Sequence, residues 1–147
     1  MATVKTNGLN RSPLHLLHRV SQLATELFSG ELGESDLTPR QMVVLMTVAE
    51  NEGLSQSDIV DRTGIDRSTL SDIVRRLQRK GWMQRRRTKE DARAYAVNLT
   101  DKGRNLLRKA LPLVRKVDER ILAALPGRSG EAFIERLAAI VEKLEVR

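Results

Sequence analysis

The chain contains no cysteine, which excludes disulfides, thiolate metal sites and thiol-based redox sensing. Aromatic residues make up only 3% of it, too few for a stacking platform that would hold single-stranded nucleic acid. No run is long or apolar enough to span a bilayer. The stretch from Met1 to Pro13 lacks the apolar middle of a signal peptide, so a cytoplasmic location is expected. There is no glycine-rich phosphate loop, and neither the acids nor the two histidines are spaced as a nucleophile and its base, so no enzyme activity is expected. What 147 residues do permit is one ordinary domain with a real core.

Positive charge is abundant and unevenly placed. The formal charge is +7, yet the segment from Arg62 to Arg104 holds 13 Lys or Arg against 5 Asp or Glu, a net of +8, leaving −1 for the rest. A basic block between near-neutral flanks points to a polyanion partner. Within it lies Asp66-Arg-Ser-Thr-Leu-Ser-Asp-Ile-Val-Arg-Arg-Leu-Gln-Arg-Lys80, closed by Gly81. Leu70, Ile73, Val74 and Leu77 recur at helical spacing and form one buried stripe. Ser68, Ser71, Asp72, Arg75 and Arg79 project from the other side. Hydroxyls and guanidinium groups are what a helix needs to read base edges and grip phosphates. A merely solvated basic helix is the competing reading, and the neighbouring elements decide between them.

Residues 1–12 read as a flexible arm. A helix begins at Pro13 with Ser12 as its cap, carrying Leu16, Leu17, Val20, Leu23, Ala24, Leu27 and Phe28 on one broad stripe until Ser29-Gly30 or soon after. Thr38-Pro39-Arg40-Gln41 is a capping box that opens a helix apolar nearly all round, and therefore central. Ser55-Gln56-Ser57-Asp58 opens a short third helix, with Gly64 at its C′ position. Only Gly64 and Ile65 separate it from Asp66. Two helices joined by so short a glycine-containing turn make a helix-turn-helix whose second helix reads DNA.

After Gly81 the period changes to that of strands, Trp82–Arg87 and Tyr95–Leu99, around a polar tip from Thr88 to Ala94. This is a wing, and Arg93 at its tip is the expected minor-groove reader. Thr100-Asp101 caps a long helix interrupted by Pro112, which should kink or split it. Pro126-Gly127 ends that helix, and Ser129 caps a last one lined by Phe133, Ile134, Leu137, Ile140, Val141 and Leu144.

The expected fold is mainly α with a small two-stranded antiparallel wing. It divides into residues 1–12 as an arm, 13–36 as an N-terminal dimerisation helix, 37–99 as the winged helix-turn-helix, and 100–147 as C-terminal dimerisation helices. The outer helices carry more apolar surface than a small winged domain covers, which marks an interface. A two-fold dimer would place two reading helices on successive turns of DNA, roughly 34–36 Å apart. The expected contacts to double-stranded DNA are Ser55, Gln56, Arg67, Ser68, Thr69, Ser71, Asp72, Arg75, Arg76, Arg79, Arg87 and Arg93.

The order of elements resembles the MarR family of bacterial transcription regulators. The matching residues are Leu37-Thr-Pro-Arg-Gln41, Leu54-Ser-Gln-Ser57, Asp66-Arg-Ser-Thr-Leu70, Leu77 with Lys80-Gly81, Asp91-Ala92-Arg93 and Leu99-Thr-Asp-Lys-Gly103. The resemblance spans Leu14 to Leu144. It implies a homodimer on a pseudo-palindromic operator, usually a repressor, released by a small molecule bound between the dimerisation helices and the DNA-binding lobe. It also implies that Arg93 enters the minor groove and that Asp91 holds the wing, with Arg75 or Arg76 as the inferred basic partner. Ser12-Pro-Leu-His-Leu-Leu-His-Arg19, Thr63-Gly-Ile-Asp-Arg-Ser-Thr69 and Asp91-Ala-Arg-Ala-Tyr-Ala-Val97 resemble the branch that controls hydroxycinnamate and other aromatic-acid catabolism. An aromatic acid or its CoA thioester is therefore the expected effector, with no further cofactor.

His15 and His18, spaced i, i+3, lack an obvious third ligand, so no metal is expected there. With Arg19 and Arg40 they are candidates for the effector pocket, because Arg meets carboxylates and phosphates bidentately. Ordinary surface or interface side chains are the alternative for all four. The remaining functional alternative is a winged-helix module that binds protein, against which the segregated charge argues.

Overall fold

The computed structural model describes residues 1–87 and 95–145. Six helices occur among them: α1 (Pro13–Leu32), α2 (Pro39–Glu50), α3 (Gln56–Thr63), α4 (Arg67–Arg79), α5 (Asp101–Ala123) and α6 (Gly130–Leu144). Two strands, β1 (Met83–Arg87) and β2 (Tyr95–Leu99), pair antiparallel with Met83 opposite Leu99 and Arg87 opposite Tyr95. Short 3-10 turns at Leu9–Arg11 and Gly33–Ser35 flank α1.

Local capping chemistry explains most of the boundaries. The Thr38 hydroxyl accepts from the Gln41 backbone N–H at 3.1 Å, and the Gln41 side chain accepts from the Thr38 N–H at 3.2 Å. Ser55 and Asp58 repeat this reciprocal arrangement at the start of α3. Gly64 closes α3 in the left-handed region, at φ 71°, where an L side chain would be strained. Ser129 behaves differently from expectation. Its hydroxyl donates to the Pro126 carbonyl at 2.8 Å, and α6 begins without a side-chain cap.

The helix-turn-helix and the strands build one core. Val44, Leu45 and Val48 of α2, Ile59 of α3, Leu70, Val74 and Leu77 of α4, and Val97 and Leu99 of β2 are all essentially fully buried. Burial of each such side chain contributes roughly 1.5–3 kcal/mol. Helix α2 is central because two of its sides are used: one enters this core, while Val43 and Met46 turn to a cavity described below. Leu54 adds a third, single-residue rung to the ribbon, since the Val97 N–H donates to its carbonyl at 2.8 Å.

Helix α5 is continuous through Pro112. Its first turn is joined to the α4–β1 turn: Thr100 donates its hydroxyl to the Gly81 carbonyl at 2.5 Å and its N–H to the Trp82 carbonyl at 3.1 Å. Lys80, at the end of α4, lies 4.7 Å from the centre of the Trp82 ring and donates to the Asp36 carbonyl at 2.6 Å. Helix α4 is thus fastened to the loop that leads out of α1. At the two ends of the chain the pattern reverses. Helix α6 has no buried residue, and α1 buries only Phe28 and Leu32. Leu14, Leu16, Leu17, Val20 and Leu23 on α1, and Ile134, Ile140, Val141 and Leu144 on α6, are exposed.

Candidate nucleic-acid interface

Helix α4 buries Leu70, Ile73, Val74 and Leu77 and turns Arg67, Ser68, Asp72, Arg75, Arg76 and Arg79 to solvent, with Thr69 and Ser71 half-buried at its edge. The outward face is the one expected from its spacing. Arg76 pairs with Asp72 at 3.2 Å, one turn away, and both remain more than half exposed, so the pair adds little stability. Arg75 and Arg79 have no carboxylate partner among the described residues. Arg86 and Arg87 are exposed at the end of β1, with Arg87 5.8 Å from the Tyr95 ring centre. Ser55 and Gln56 are half-buried at the start of α3, where the Ser55 hydroxyl is already engaged with the Asp58 N–H. Arg67 donates to the Ser57 hydroxyl at 3.0 Å, which ties the starts of α3 and α4 together. Asp91 and Arg93 lie outside the described residues.

Asp66 emerges from the structure with a role that spacing alone does not reveal. Its carboxylate accepts from the Thr69 N–H at 2.9 Å, the Thr69 hydroxyl at 2.7 Å and the Ser68 hydroxyl at 3.0 Å. These bonds, led by the Thr69 backbone N–H, hold the Asp66 carboxyl down to about 2 although it is exposed. The folded value lies below the ordinary one, so the cap contributes stability above about pH 4 and loses it as pH falls towards about 2. Asp66→Asn should therefore be less stable than wild type near neutrality, and the gap should close on acidification. Urea midpoints of the two proteins at several pH values check this; a gap constant with pH would refute it.

Between α1, α2 and α5 lies an open cavity of ≈ 290 Å³, walled by Phe28, Met42, Val43, Met46, Val114 and Val117, with Ser21, Thr25 and Asp118 as its polar members. An apolar groove of ≈ 590 Å³ adjoins it, sharing Ser21 and Ile121, and runs between Leu16, Leu17, Val20, Phe133, Leu137 and Ile140. Arg136 is the single cation lining that groove. Its place on a helix whose sequence pattern signals only packing gives no local sign of this position. His15, His18, Arg19 and Arg40 line neither space. His15 is half-buried near the start of α1, while His18, Arg19 and Arg40 are exposed.

The sequence profile of the MarR family matches residues 35–94, which include α2, α3, α4 and β1. The repressor CouR, solved bound to a 23-mer DNA duplex, is 31% identical; the match covers 95% of this chain and 99% of CouR, at a TM-score of 0.84. The chain belongs to the MarR family. Membership makes it a DNA-binding transcriptional regulator with the winged-helix fold, and not an enzyme. Other MarR-family proteins are similarly close. PcaV of Streptomyces coelicolor, solved with its natural ligand, is 29% identical over 99% of this chain and all of PcaV, at a TM-score of 0.88. The regulator HosA of Escherichia coli O111:H- is 29% identical over 87% of this chain and 93% of HosA. No helix among the described residues is long and apolar enough to cross a membrane.

Proposed function

We propose that this MarR-family protein is a cytoplasmic repressor that holds a pseudo-palindromic operator as a homodimer and releases it on binding a small aromatic acid or its CoA thioester. The position of the ≈ 290 Å³ cavity carries the reading. Its walls are α1 and α5, which lead into the unpartnered apolar surface, and α2, on which the reading lobe packs. An occupant therefore touches both halves of the protein, and can favour one arrangement of them over another only through such differential contact. The space and its aliphatic, aromatic and thioether walls suit a single ring. A CoA portion would remain outside. An acid group needs a cation: Arg136 lines the adjoining groove, and Arg40 follows Pro39, itself part of the cavity wall. His15, His18 and Arg19 stand along the same stretch of α1 as Leu16, Leu17 and Val20 of the groove. PcaV binds a natural ligand and CouR is a repressor that binds DNA, which supports assigning both properties here.

The two reading helices supply Arg67, Ser68, Thr69, Ser71, Asp72, Arg75, Arg76 and Arg79, backed by Ser55, Gln56, Arg87 and the wing residue Arg93, with Asp91 positioning the wing. The test is titration of the protein's own upstream intergenic DNA, with and without a panel of aromatic acids and their CoA thioesters. Binding should be tight, should weaken steeply with salt because several phosphates are neutralised together, and should be lost with one compound. Binding indifferent to the whole panel would overturn the effector class, and absence of specific binding at any promoter would favour a protein-binding module.

A further inference from the structure

A serine or threonine hydroxyl has one proton to donate and lone pairs with which to accept. Which of these it offers to DNA depends on where its proton is already committed. At the start of α4 that commitment is visible. The Ser68 hydroxyl lies 3.0 Å from one Asp66 carboxylate oxygen, and the Thr69 hydroxyl 2.7 Å from the other. An ionised carboxylate only accepts, so in both bonds the hydroxyl must be the donor. The Thr69 N–H is spent on the same carboxylate at 2.9 Å. The cap thus withdraws one of the N–H donors usual at a helix start and leaves those of Arg67 and Ser68. Beside them the first turn presents two hydroxyl oxygens whose protons face the Asp66 carboxylate.

We propose that Asp66 is a positioning residue for specificity: by taking both hydroxyl protons it leaves Ser68 and Thr69 able only to accept, so they read the exocyclic amino group of an adenine or cytosine. This rests on α4 being the helix that enters the major groove. Phosphate oxygens, guanine O6 and purine N7 are all acceptors, so the two hydroxyls form no bond with them while Asp66 holds their protons. The amino group of adenine N6 or cytosine N4 is the donor that each base pair offers in the major groove. Guanine and phosphate contacts fall instead to the arginines of the same face, Arg67, Arg75 and Arg79, which can only donate. The side chains of one face thus divide the groove chemistry between two accepting hydroxyls and three donating guanidinium groups.

The test removes single atoms from the DNA. Duplexes enriched by the full-length protein from a randomised pool are resynthesised with purine for adenine or 2-pyrimidinone for cytosine, which lack the amino group, or with 7-deazapurines, which lack N7. At one or two positions per half-site, loss of the amino group should weaken wild-type binding about fivefold, the worth of one hydrogen bond. At those positions Ser68→Ala or Thr69→Val should show no further loss, and removal of N7 should show no coupling to either variant. Asp66→Asn keeps a good helix cap, but its amide donates to one hydroxyl and turns that proton outward. Its sensitivity to amino-group loss should fall below twofold at one position, and sensitivity to N7 loss should appear. Coupling of Ser68 or Thr69 to N7, or to phosphates replaced by methylphosphonates, would overturn the proposal. So would an Asp66→Asn profile identical to that of wild type. A pool from which nothing is enriched would overturn the DNA-reading role of α4 itself, and the proposal with it.

Discussion

Gly103→Ala should lower the stability of the protein by roughly 3 kcal/mol, read as a fall in the urea midpoint with an unchanged slope. A Cβ at this position would lie 2.0 Å from the Trp82 carbonyl oxygen and 2.9 Å from its carbon. Both are backbone atoms, so no side chain can swing aside to make room. Relief requires α5 to move away from the α4–β1 turn, which stretches the two Thr100 bonds and the bond from Lys102 to the Lys80 carbonyl at 3.1 Å. Alanine gains about 1 kcal/mol over glycine in a helix, and the overlap outweighs it. Gly30, inside α1, supplies the contrast. Nothing lies within 4 Å of its added Cβ, so Gly30→Ala should be neutral or stabilising by up to about 1 kcal/mol. Equal effects at the two sites would show that α5 yields freely and that the contact at Trp82 sets nothing.

Gly103 also shows where reading the sequence stops. It belongs to the Leu99–Gly103 motif, but its reason is a carbonyl twenty-one residues earlier in the chain, and no local pattern carries that information. What could be read was locally determined. Thr38 with Gln41, Ser55 with Asp58, Asp66 and Thr100 each satisfy orphan N–H groups within three residues, so the starts of α2, α3, α4 and α5 follow from sequence alone. The buried stripe of α4 follows from its period in the same way. Ser129 fails as a side-chain cap because its backbone, at φ −100° and ψ 10°, lacks the extended conformation of the other caps, and its hydroxyl turns to the Pro126 carbonyl. The Leu54 rung and the Lys80–Asp36 fastening join segments 43 or 44 residues apart and left no local trace.

The candidate site divides along the same line. The basic outer face of α4 was legible, because helical geometry alone sorts Arg75 and Arg79 from Leu70 and Leu77. The state of its hydroxyls was not, since only the geometry shows both protons turned towards one carboxylate. The cavity proposed for the effector was the least legible. It is made where α1, α2 and α5 meet, whereas the chemistry of His15, His18, Arg19 and Arg40 is a property of single helices. Periodicity says that α1 and α6 have apolar faces, but not whether a neighbouring helix or another molecule covers them.

For α6 that question has a clean experiment. Val141→Asp with Leu144→Asp should convert the proposed homodimer to monomer at micromolar concentration and weaken operator binding by about 10²-fold or more, with helix content retained. The argument rests on α6 having no buried residue: Val141 and Leu144 are 55% and 72% exposed, so charges there leave the core around Leu45, Leu70 and Leu77 intact. Within a two-fold interface the same carboxylates would be buried without partners, at a cost of several kcal/mol in each subunit. The loss of affinity follows from linkage. While two reading heads are joined, the second half-site is bound from a high effective concentration, a gain of about 10²–10⁴ over a single head. Separated heads forfeit that gain although every side chain on α4 is unchanged. Native mass measurement and sedimentation give the assembly state, circular dichroism the helix content, and titration at fixed salt the affinity. A variant that stays dimeric would place the interface elsewhere than α6, and a monomer that binds the full operator as tightly as wild type would show that each chain reads DNA alone.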